Sequence, residues 1–199
     1  MSPTGIGGSA RASRSTLRQA ARAAVFTLSL ATAFVLLTSC SSAPSTKDIP
    51  AVRTIDFDLF EGSWYEIARI PISVARDWVG TTDTYIPNGD GTWLVLYEGY
   101  KGGFDGKKGV MKQKLKGVDP DVAGEMSARP FPFTWLPYRL IYWNERDRTM
   151  LVTSSSMDFL WIMAKDPVPP PEVYETLVEE SRRLGFDVSR LEKVPQRQP

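Results

Sequence analysis

Hydrophobic and polar residues alternate along most of the chain after residue 60, so that every second residue is apolar. This period of two predicts β-strands with one buried face, because neighbouring side chains point to opposite faces of a sheet. The alternating segments are 62–70, 81–87, 92–100, 110–118, 123–131, 138–144, 149–154 and 158–165. Turn residues separate them, including the tight-turn sequence NGDG at 88–91. The spacing predicts an all-β antiparallel fold of eight short strands, either an up-and-down barrel or a sandwich.

The hydrophobic period changes near the C-terminus. Apolar and small residues there follow helical spacing, at Val173, Tyr174, Leu177, Val178, Ser181 and Leu184. Pro171 suits a first helical turn and Gly185 suits a stop. One amphipathic helix is therefore predicted to pack outside the sheet. The segment after it, 187–195, is predicted either to add a short strand or to trail along the surface.

The N-terminal region carries arginines but no acidic residue before Asp48, and then the apolar run AAVFTLSLATAFVLL at 23–37. A basic stretch before so short an apolar run predicts a secretory signal, since a spanning helix needs about 20 residues. The alternative is a transmembrane anchor.

The apolar run ends in LTSC, and Cys40 is the one cysteine of the chain. These residues resemble a bacterial lipobox. That resemblance implies a signal peptide over 1–39 and an acylated Cys40 carrying diacylglycerol and palmitate, which together anchor the protein stably. The alternative is a free thiol or an intermolecular disulfide at Cys40.

Removal of the signal peptide changes the charge. The whole chain has 24 basic and 23 acidic residues, and loss of Arg11, Arg14, Arg18 and Arg22 leaves 20 against 23. A mature chain near −3 is too acidic for a general nucleic-acid-binding protein. The Ser/Pro/Thr-rich segment 41–54 predicts a flexible tether. The predicted organisation is signal peptide 1–39, acylated N-terminus and tether 40–54, one domain 55–195 and a tail 196–199.

The residue types also limit the chemistry. The chain has no histidine, and its single cysteine is assigned to the anchor. Ser–His and Cys–His catalysis are therefore excluded for the mature chain, and no Cys/His cluster is available for zinc. No glycine-rich phosphate loop follows a strand and opens a helix. We predict no catalytic residue, no metal and no cofactor.

Four segments carry recognisable motifs: GSWYEIARIP at 62–71, which contains G-x-W, GTTDTY at 80–85, EGYK at 98–101 and FLWIMAKDP at 159–167. They resemble the lipocalin family, and in particular its bacterial, apolipoprotein D-like branch of outer-membrane lipoproteins. Their order, their spacing and the late helix extend the resemblance over about Val52–Val194. It implies an eight-stranded antiparallel up-and-down barrel that holds a hydrophobic ligand.

The chain departs from the family pattern at two signatures. Asn144 and Asp147 stand where the second signature usually has an acid and a tyrosine. Lys165 stands where the third usually has an arginine over the signature tryptophan. Gly62, Trp64 and Lys165 are predicted at the closed base of the barrel, and lysine can still contact the indole ring as a cation.

The resemblance places Trp64 inside the base, and alternation then predicts the inner face. The predicted cavity residues are Ala68, Ile70, Tyr85, Trp93, Val95, Tyr97, Met111, Leu115, Tyr138, Leu140, Tyr142, Phe159, Trp161 and Met163. Tyr65, Ile67 and Arg69 are predicted to face outward. Eight strands leave room for side chains alone or for one small ligand, so a fully packed core is the alternative.

Glu66 and Asp83 fall on the same inner face. A buried carboxylate must be paired, be hydrogen-bonded or become neutral. They are predicted either as a structural pair near the base, with Lys165 or another base as partner, or as a polar contact for a ligand head. Acid–base catalysis by the two carboxyls is a third hypothesis.

An apolar, aromatic interior without cationic clusters favours a hydrocarbon ligand. The lipocalin resemblance therefore predicts a non-enzymatic lipoprotein that binds fatty acids or lysophospholipids for storage or transport. Ser41 after the cysteine predicts the outer membrane, at its periplasmic face, because aspartate at that position is the usual mark for retention in the inner membrane. The alternatives are an enzyme that modifies a lipid or isoprenoid, and a structural envelope protein with a filled core.

Two surface features remain. The segment PFPFTWLP at 130–137 is predicted as a loop at the open mouth. Its Phe131, Phe133 and Trp135 are predicted to cap the cavity, touch the bilayer or form a homodimer contact. Lys112, Lys114 and Lys116 share one face of a strand, either as a solvated surface or as a contact for anionic lipid heads.

Overall fold

The computed structural model describes residues 44–197. The strands of this region are β1 Gly62–Arg69, β2 Trp78–Pro87, β3 Thr92–Lys101, β4 Lys108–Asp119, β5 Val122–Phe131, β6 Thr134–Asn144, β7 Thr149–Thr153, β8 Leu160–Ala164 and β9 Glu192–Lys193. Its α-helices are α1 Phe57–Phe60 and α2 Pro171–Arg183, and short 3₁₀ turns cover Ser73–Ala75 and Val188–Arg190. The predicted signal peptide and Cys40 lie outside the described residues.

The strands form one antiparallel sheet that closes on itself. Each strand from β2 to β7 pairs with the next, β8 pairs with β1, and β1 pairs with β2. Burial alternates residue by residue along β3, as the sequence pattern requires. The turn Asn88–Gly91 connects β2 to β3, and Gly89 and Gly91 both have positive φ there. The prediction of an eight-stranded up-and-down barrel is confirmed.

Two bulges change which residues face the interior. Between Glu66 and Ala68 the register of β1 against β8 shifts, so that Ile67 is the extra residue. A second shift separates Leu140 from Tyr142 in β6. Each bulge reverses the alternation for the rest of its strand.

The prediction that Ala68, Ile70 and Tyr142 face the cavity is therefore wrong. All three pack with the cluster beneath helix α2, outside the barrel. Arg69, predicted outward, is buried on the inner side. A single inserted residue in a strand has no signature in an alternating apolar pattern, so parity alone could not find these bulges.

Helix α2 confirms the predicted amphipathic helix. Leu177 and Ser181 are buried on its inner side, and Val173, Tyr174, Val178 and Leu184 pack around the same cluster. The helix ends before Gly185, whose φ is +93°. The prediction of one helix outside the barrel is correct.

The predicted flexible tether is wrong for its described part, residues 44–54. Thr46 and Ile49 are buried, and the Val52 N–H donates to the Leu140 carbonyl at 2.9 Å. The Arg139 guanidinium donates to the Thr46 carbonyl and, at 2.8 Å, to the Ile49 carbonyl. Backbone hydrogen bonds and one buried arginine hold a segment whose composition indicates only disorder.

Part of the predicted tail 196–199 is also held. Strand β9 pairs with Ala68 and Arg69, where β1 has separated from β2. The Gly80 N–H donates to the Pro195 carbonyl at 2.8 Å, and Gln196 donates to carbonyls of both strands. Residues 192–196 therefore fill the gap between β1 and β2.

No helix in the described part of the chain is long and apolar enough to cross a membrane.

Candidate functional site: the barrel interior

The inside of the barrel has a packed base half and an open mouth half. The base half is a cluster of buried side chains: Phe60, Trp64, Tyr85, Trp93, Val95, Leu115, Met126, Leu140, Met150 and Met163. Six residues predicted to line the cavity, Tyr85, Trp93, Val95, Leu115, Leu140 and Met163, belong to this cluster. They fill the barrel rather than border its open space.

Helix α1 closes the base. Asp56 caps it by accepting from two backbone N–H groups, and Phe60 enters the barrel fully buried. The Trp64 indole N–H donates to the Phe60 carbonyl at 2.7 Å. Phe57 stacks on Trp93 with ring centroids 5.3 Å apart. The sequence pattern did not reveal this one-turn helix, although the Asp56 cap was a usable signal.

Lys165 lies over the signature tryptophan, as predicted. Its Nζ is 4.6 Å from the Trp64 ring centroid, and it donates to the Glu61 carbonyl. Partial burial and the nearby Arg148 lower the pKa of Lys165 to about 8. Gly62 has a φ of +81°, and a Cβ there would lie 3.7 Å from Lys165 Nζ. The Cβ would make only an ordinary contact at that distance, so it is the positive φ that favours glycine at the entry into β1.

The mouth half contains a cavity of about 450 Å³. Six of the predicted residues border it: Asp83, Tyr97, Met111, Tyr138, Phe159 and Trp161. Several residues that were not predicted also line its walls, among them Gln113, Ala128 and Val152. Gln113 lies between Met111 and Leu115 on the same face of β4, so the alternation that located those two residues could have located it.

Glu66 and Arg69 form a buried ion pair beside the cavity. Arg69 Nη1 donates to Glu66 Oε2 at 3.0 Å, and the Tyr97 hydroxyl donates to the same oxygen at 2.9 Å. Arg69 Nη2 donates to the carbonyls of Ala75 at 2.6 Å and Trp78 at 3.0 Å. The prediction of a buried carboxylate paired with a base is correct, but the partner is Arg69 and not Lys165. The bulge at Ile67 turns Arg69 inward to meet it.

Burial raises the pKa of Glu66, and the Arg69 charge opposes that shift. Because Arg69 also ties the 3₁₀ turn at 73–75 to the strands, the ion pair positions one side of the mouth.

Asp83 has a different environment. It borders the cavity with 9 % of its surface exposed, and its Oδ2 accepts from the Tyr85 hydroxyl at 3.5 Å. The Tyr85 and Tyr138 hydroxyls are hydrogen-bonded to each other. Burial and the nearby Glu66 charge raise the pKa of Asp83 to about 8. Asp83 is therefore mainly neutral at pH 7.

The mouth rim is a hairpin and not a loop. Strands β5 and β6 continue to Phe131 and Thr134, so the segment predicted as a mouth loop is mostly strand. Phe133 at the tip is 99 % exposed and has a φ of +67°. Phe131 borders the cavity, while Trp135 lies outside with Lys116 Nζ 4.5 Å from its ring centroid. Phe133 does not cap the cavity in this conformation.

Comparison with known proteins assigns the fold to a family. Residues 55–196 match the family described as the lipocalin-like domain. The chain belongs to this lipocalin-like family. It is 31% identical over 164 residues to outer membrane lipoprotein Blc of Escherichia coli K12, covering 80% of this chain and 90% of that one.

Other lipocalins resemble it at similar or lower identity. Temperature-induced lipocalin-1 of Arabidopsis thaliana is 29% identical over 159 residues, covering 75% of this chain and 84% of that one. The fold matches insecticyanin from Manduca sexta with a TM-score of 0.61 at 18% identity, over 78% of this chain and 87% of that one. The resemblance inferred from the signature segments is confirmed.

The lipocalin second signature keeps a local structure despite its changed residues. Asn144 Nδ2 donates to Asp147 Oδ2 at 3.0 Å, and the Asp147 N–H donates to Asn144 Oδ1 at 3.0 Å. These two hydrogen bonds hold the β6–β7 turn. Lys112 and Lys116 are exposed on the outer face of β4. Lys114 Nζ on the same face lies 3.7 Å from Asp90 Oδ2.

Proposed function

We propose that this lipocalin is a non-enzymatic lipoprotein of the bacterial envelope that binds fatty acids, lysophospholipids or similar amphiphiles. The observation that carries the proposal is the apolar cavity of about 450 Å³ at the open end of the barrel. Ligand pockets typically have about 300–1,000 Å³. Aromatic and aliphatic side chains predominate in its walls, which matches a hydrocarbon chain.

The expected affinity follows from burial of the chain. A ligand of about 16 carbons gains at most about 12 kcal/mol, at about 0.8 kcal/mol per methylene. Ordering of the chain and loss of free tumbling offset much of that gain, so a dissociation constant in the micromolar range is expected.

The proposed location is the outer membrane, through lipid on Cys40. The lipobox residues LTSC and the Ser41 that follows them support this proposal. The relative in Escherichia coli carries the name outer membrane lipoprotein, which supports it further. In this arrangement the exposed rim at Phe131 and Phe133 contacts lipid during ligand exchange, and no second copy of the chain is needed for binding.

Blocking the cavity tests the binding proposal. Met111 borders the cavity, whereas its neighbour Val110 is 47 % exposed on the outer face of the same strand. Met111→Trp should lower the affinity for a fluorescent fatty acid at least tenfold by filling space, and Val110→Trp should leave it unchanged. Delipidated protein without saturable binding, or equal affinity in both variants, would reject the proposal.

A further inference from the structure

The carboxyl groups of the mouth half outnumber the cations. Glu66 and Asp83 are both buried on the inner side of the barrel. Arg69 donates to Glu66 and to backbone carbonyls, so its charge is committed to that carboxylate. The residues that line the cavity in the described chain include Asp83 but no lysine or arginine. The cavity therefore has an acidic group without a basic one.

The groups around Asp83 do not supply the missing charge. Glu66 faces it from β1, Tyr85 from β2, Tyr97 from β3 and Tyr138 from β6, while Arg69 contacts Glu66 and Tyr97. Tyr85 donates to Oδ2, and Oδ1 is buried with no hydrogen-bond partner in the part of the chain that the structure describes. A buried carboxyl in this state is stabilised either by a proton or by a cation from outside.

The walls beside Asp83 favour a cation. Tyr97, Tyr138, Phe159 and Trp161 border the same cavity. Aromatic ring faces attract ammonium groups, most strongly where water is excluded. A carboxyl within such walls is a suitable site for a positively charged nitrogen, and the apolar remainder of the cavity accepts a chain.

We propose that the cavity selects amphiphiles with a cationic nitrogen, such as long-chain ammonium compounds, and that Asp83 is the residue that pairs with that nitrogen. This proposal rests on the proposed lipid-binding function and specifies the ligand head. Once Asp83 is ionised, an anionic head beside it meets like charge. Fatty acids therefore bind with their carboxylate at the mouth, while an ammonium head lies against the wall.

Ligand charge provides the test. The described residues form a closed barrel with its own hydrophobic core. The experiment therefore uses protein that begins at residue 41. Tryptophan fluorescence titrations compare an alkyltrimethylammonium ion, an alcohol and a carboxylate of one chain length, below the concentration of micelle formation. The variants are Asp83→Asn and the matched control Asp90→Asn, whose side chain is exposed at the β2–β3 turn.

The wild-type protein should bind the ammonium ion at least about tenfold more tightly than the alcohol at pH 8. Its affinity for this permanent cation should rise up to about tenfold per pH unit between pH 6 and 8, as Asp83 ionises. Asp83→Asn should remove both the preference and the pH dependence, and Asp90→Asn should keep both.

The outcomes separate the two proposals. Saturable binding of the alcohol and carboxylate without an advantage for the ammonium ion would overturn this inference alone. A preference that survives Asp83→Asn would also overturn it. Binding of none of the three ligands would reject the proposed function together with the inference.

Discussion

The two halves of the barrel interior differ in packing and in charge. The base half is filled by interlocking apolar side chains, and Phe60, Trp64 and Leu140 there are fully buried. The mouth half holds an open cavity, an ion pair and the carboxyl of Asp83, whose Oδ1 has no hydrogen-bond partner among the described residues. One barrel thus separates its two tasks: the packed end stabilises the fold and the open end leaves surface available for a ligand.

The difference originates at the two ends of the sheet. Helix α1 inserts Phe60 into the base, where the Trp64 indole N–H donates to the Phe60 carbonyl. Apolar residues at the opposite end remain exposed instead, as Phe131 and Phe133 do. Equivalent substitutions at the two ends of the barrel test whether the base is more tightly packed than the mouth.

Truncation of a tryptophan at each end should have the largest effect. Trp64→Ala should lower the free energy of unfolding by about 3–5 kcal/mol, because it leaves a void in a close-packed cluster. Trp161→Ala, at the cavity wall, should cost less than half as much and weaken ligand binding instead. Urea unfolding measures both, and equal losses of stability would show that the two halves are packed alike.

Asp83→Asn should change how stability depends on pH. The pKa of Asp83 is about 8 in the folded protein against an ordinary 3.8, so folding favours the protonated form. The contribution of protonated Asp83 to the free energy of unfolding is fully present below about pH 4. It is lost as the pH rises towards 8, at up to about 1.4 kcal/mol per pH unit. The free energy of unfolding of the variant should not fall in this way, so the variant should exceed wild type in stability by an amount that grows with pH.

Urea titrations at several pH values measure that advantage, with Asp90→Asn as the exposed control. A difference between Asp83→Asn and wild type that stays constant from pH 5 to 8 would contradict the assigned environment of Asp83.

Lys165→Met should have a smaller effect at the base. It removes the cation contact with Trp64, worth about 0.5–1 kcal/mol, and a hydrogen bond to the Glu61 carbonyl. Thermal unfolding compared with Lys112→Met, an exposed lysine on β4, isolates this contribution. Equal melting temperatures for the two variants would mean that the lysine over the signature tryptophan does not stabilise the base.

Phe133→Ser should change stability least, by no more than about 0.5 kcal/mol, because Phe133 is 99 % exposed. In protein that lacks Cys40 it should nevertheless reduce sedimentation with liposomes. Val118→Ser, 62 % exposed on β4 near the opposite end, is the matched control. Unchanged partitioning of Phe133→Ser would reject contact between the rim and the bilayer.

Several parts of the fold and site followed from the sequence. Alternation located all eight barrel strands, and helical spacing located α2. The signature segments placed Trp64 and Lys165 together at the base. The inward position of Asp83 also followed from parity, because β2 pairs with β3 in regular register from Thr82 to Pro87.

Other parts depended on tertiary contacts. Ala68, Ile70 and Tyr142 face outward because a bulge precedes each of them in its strand. The buried contacts of residues 46–54 depend on Arg139, a residue far along the chain. No local composition encodes such a pairing.

The sequence by itself determined the strand pattern, the closed base and the apolar character of the interior, because each depends on local periodicity or on a short signature. Only the tertiary structure decided which interior residues pack and which border a cavity. It also decided that Arg69, and not Lys165, compensates Glu66, which leaves Asp83 without a basic partner among residues 44–197. Those outcomes depend on where bulges shift the register and on how side chains from distant strands share one enclosed volume.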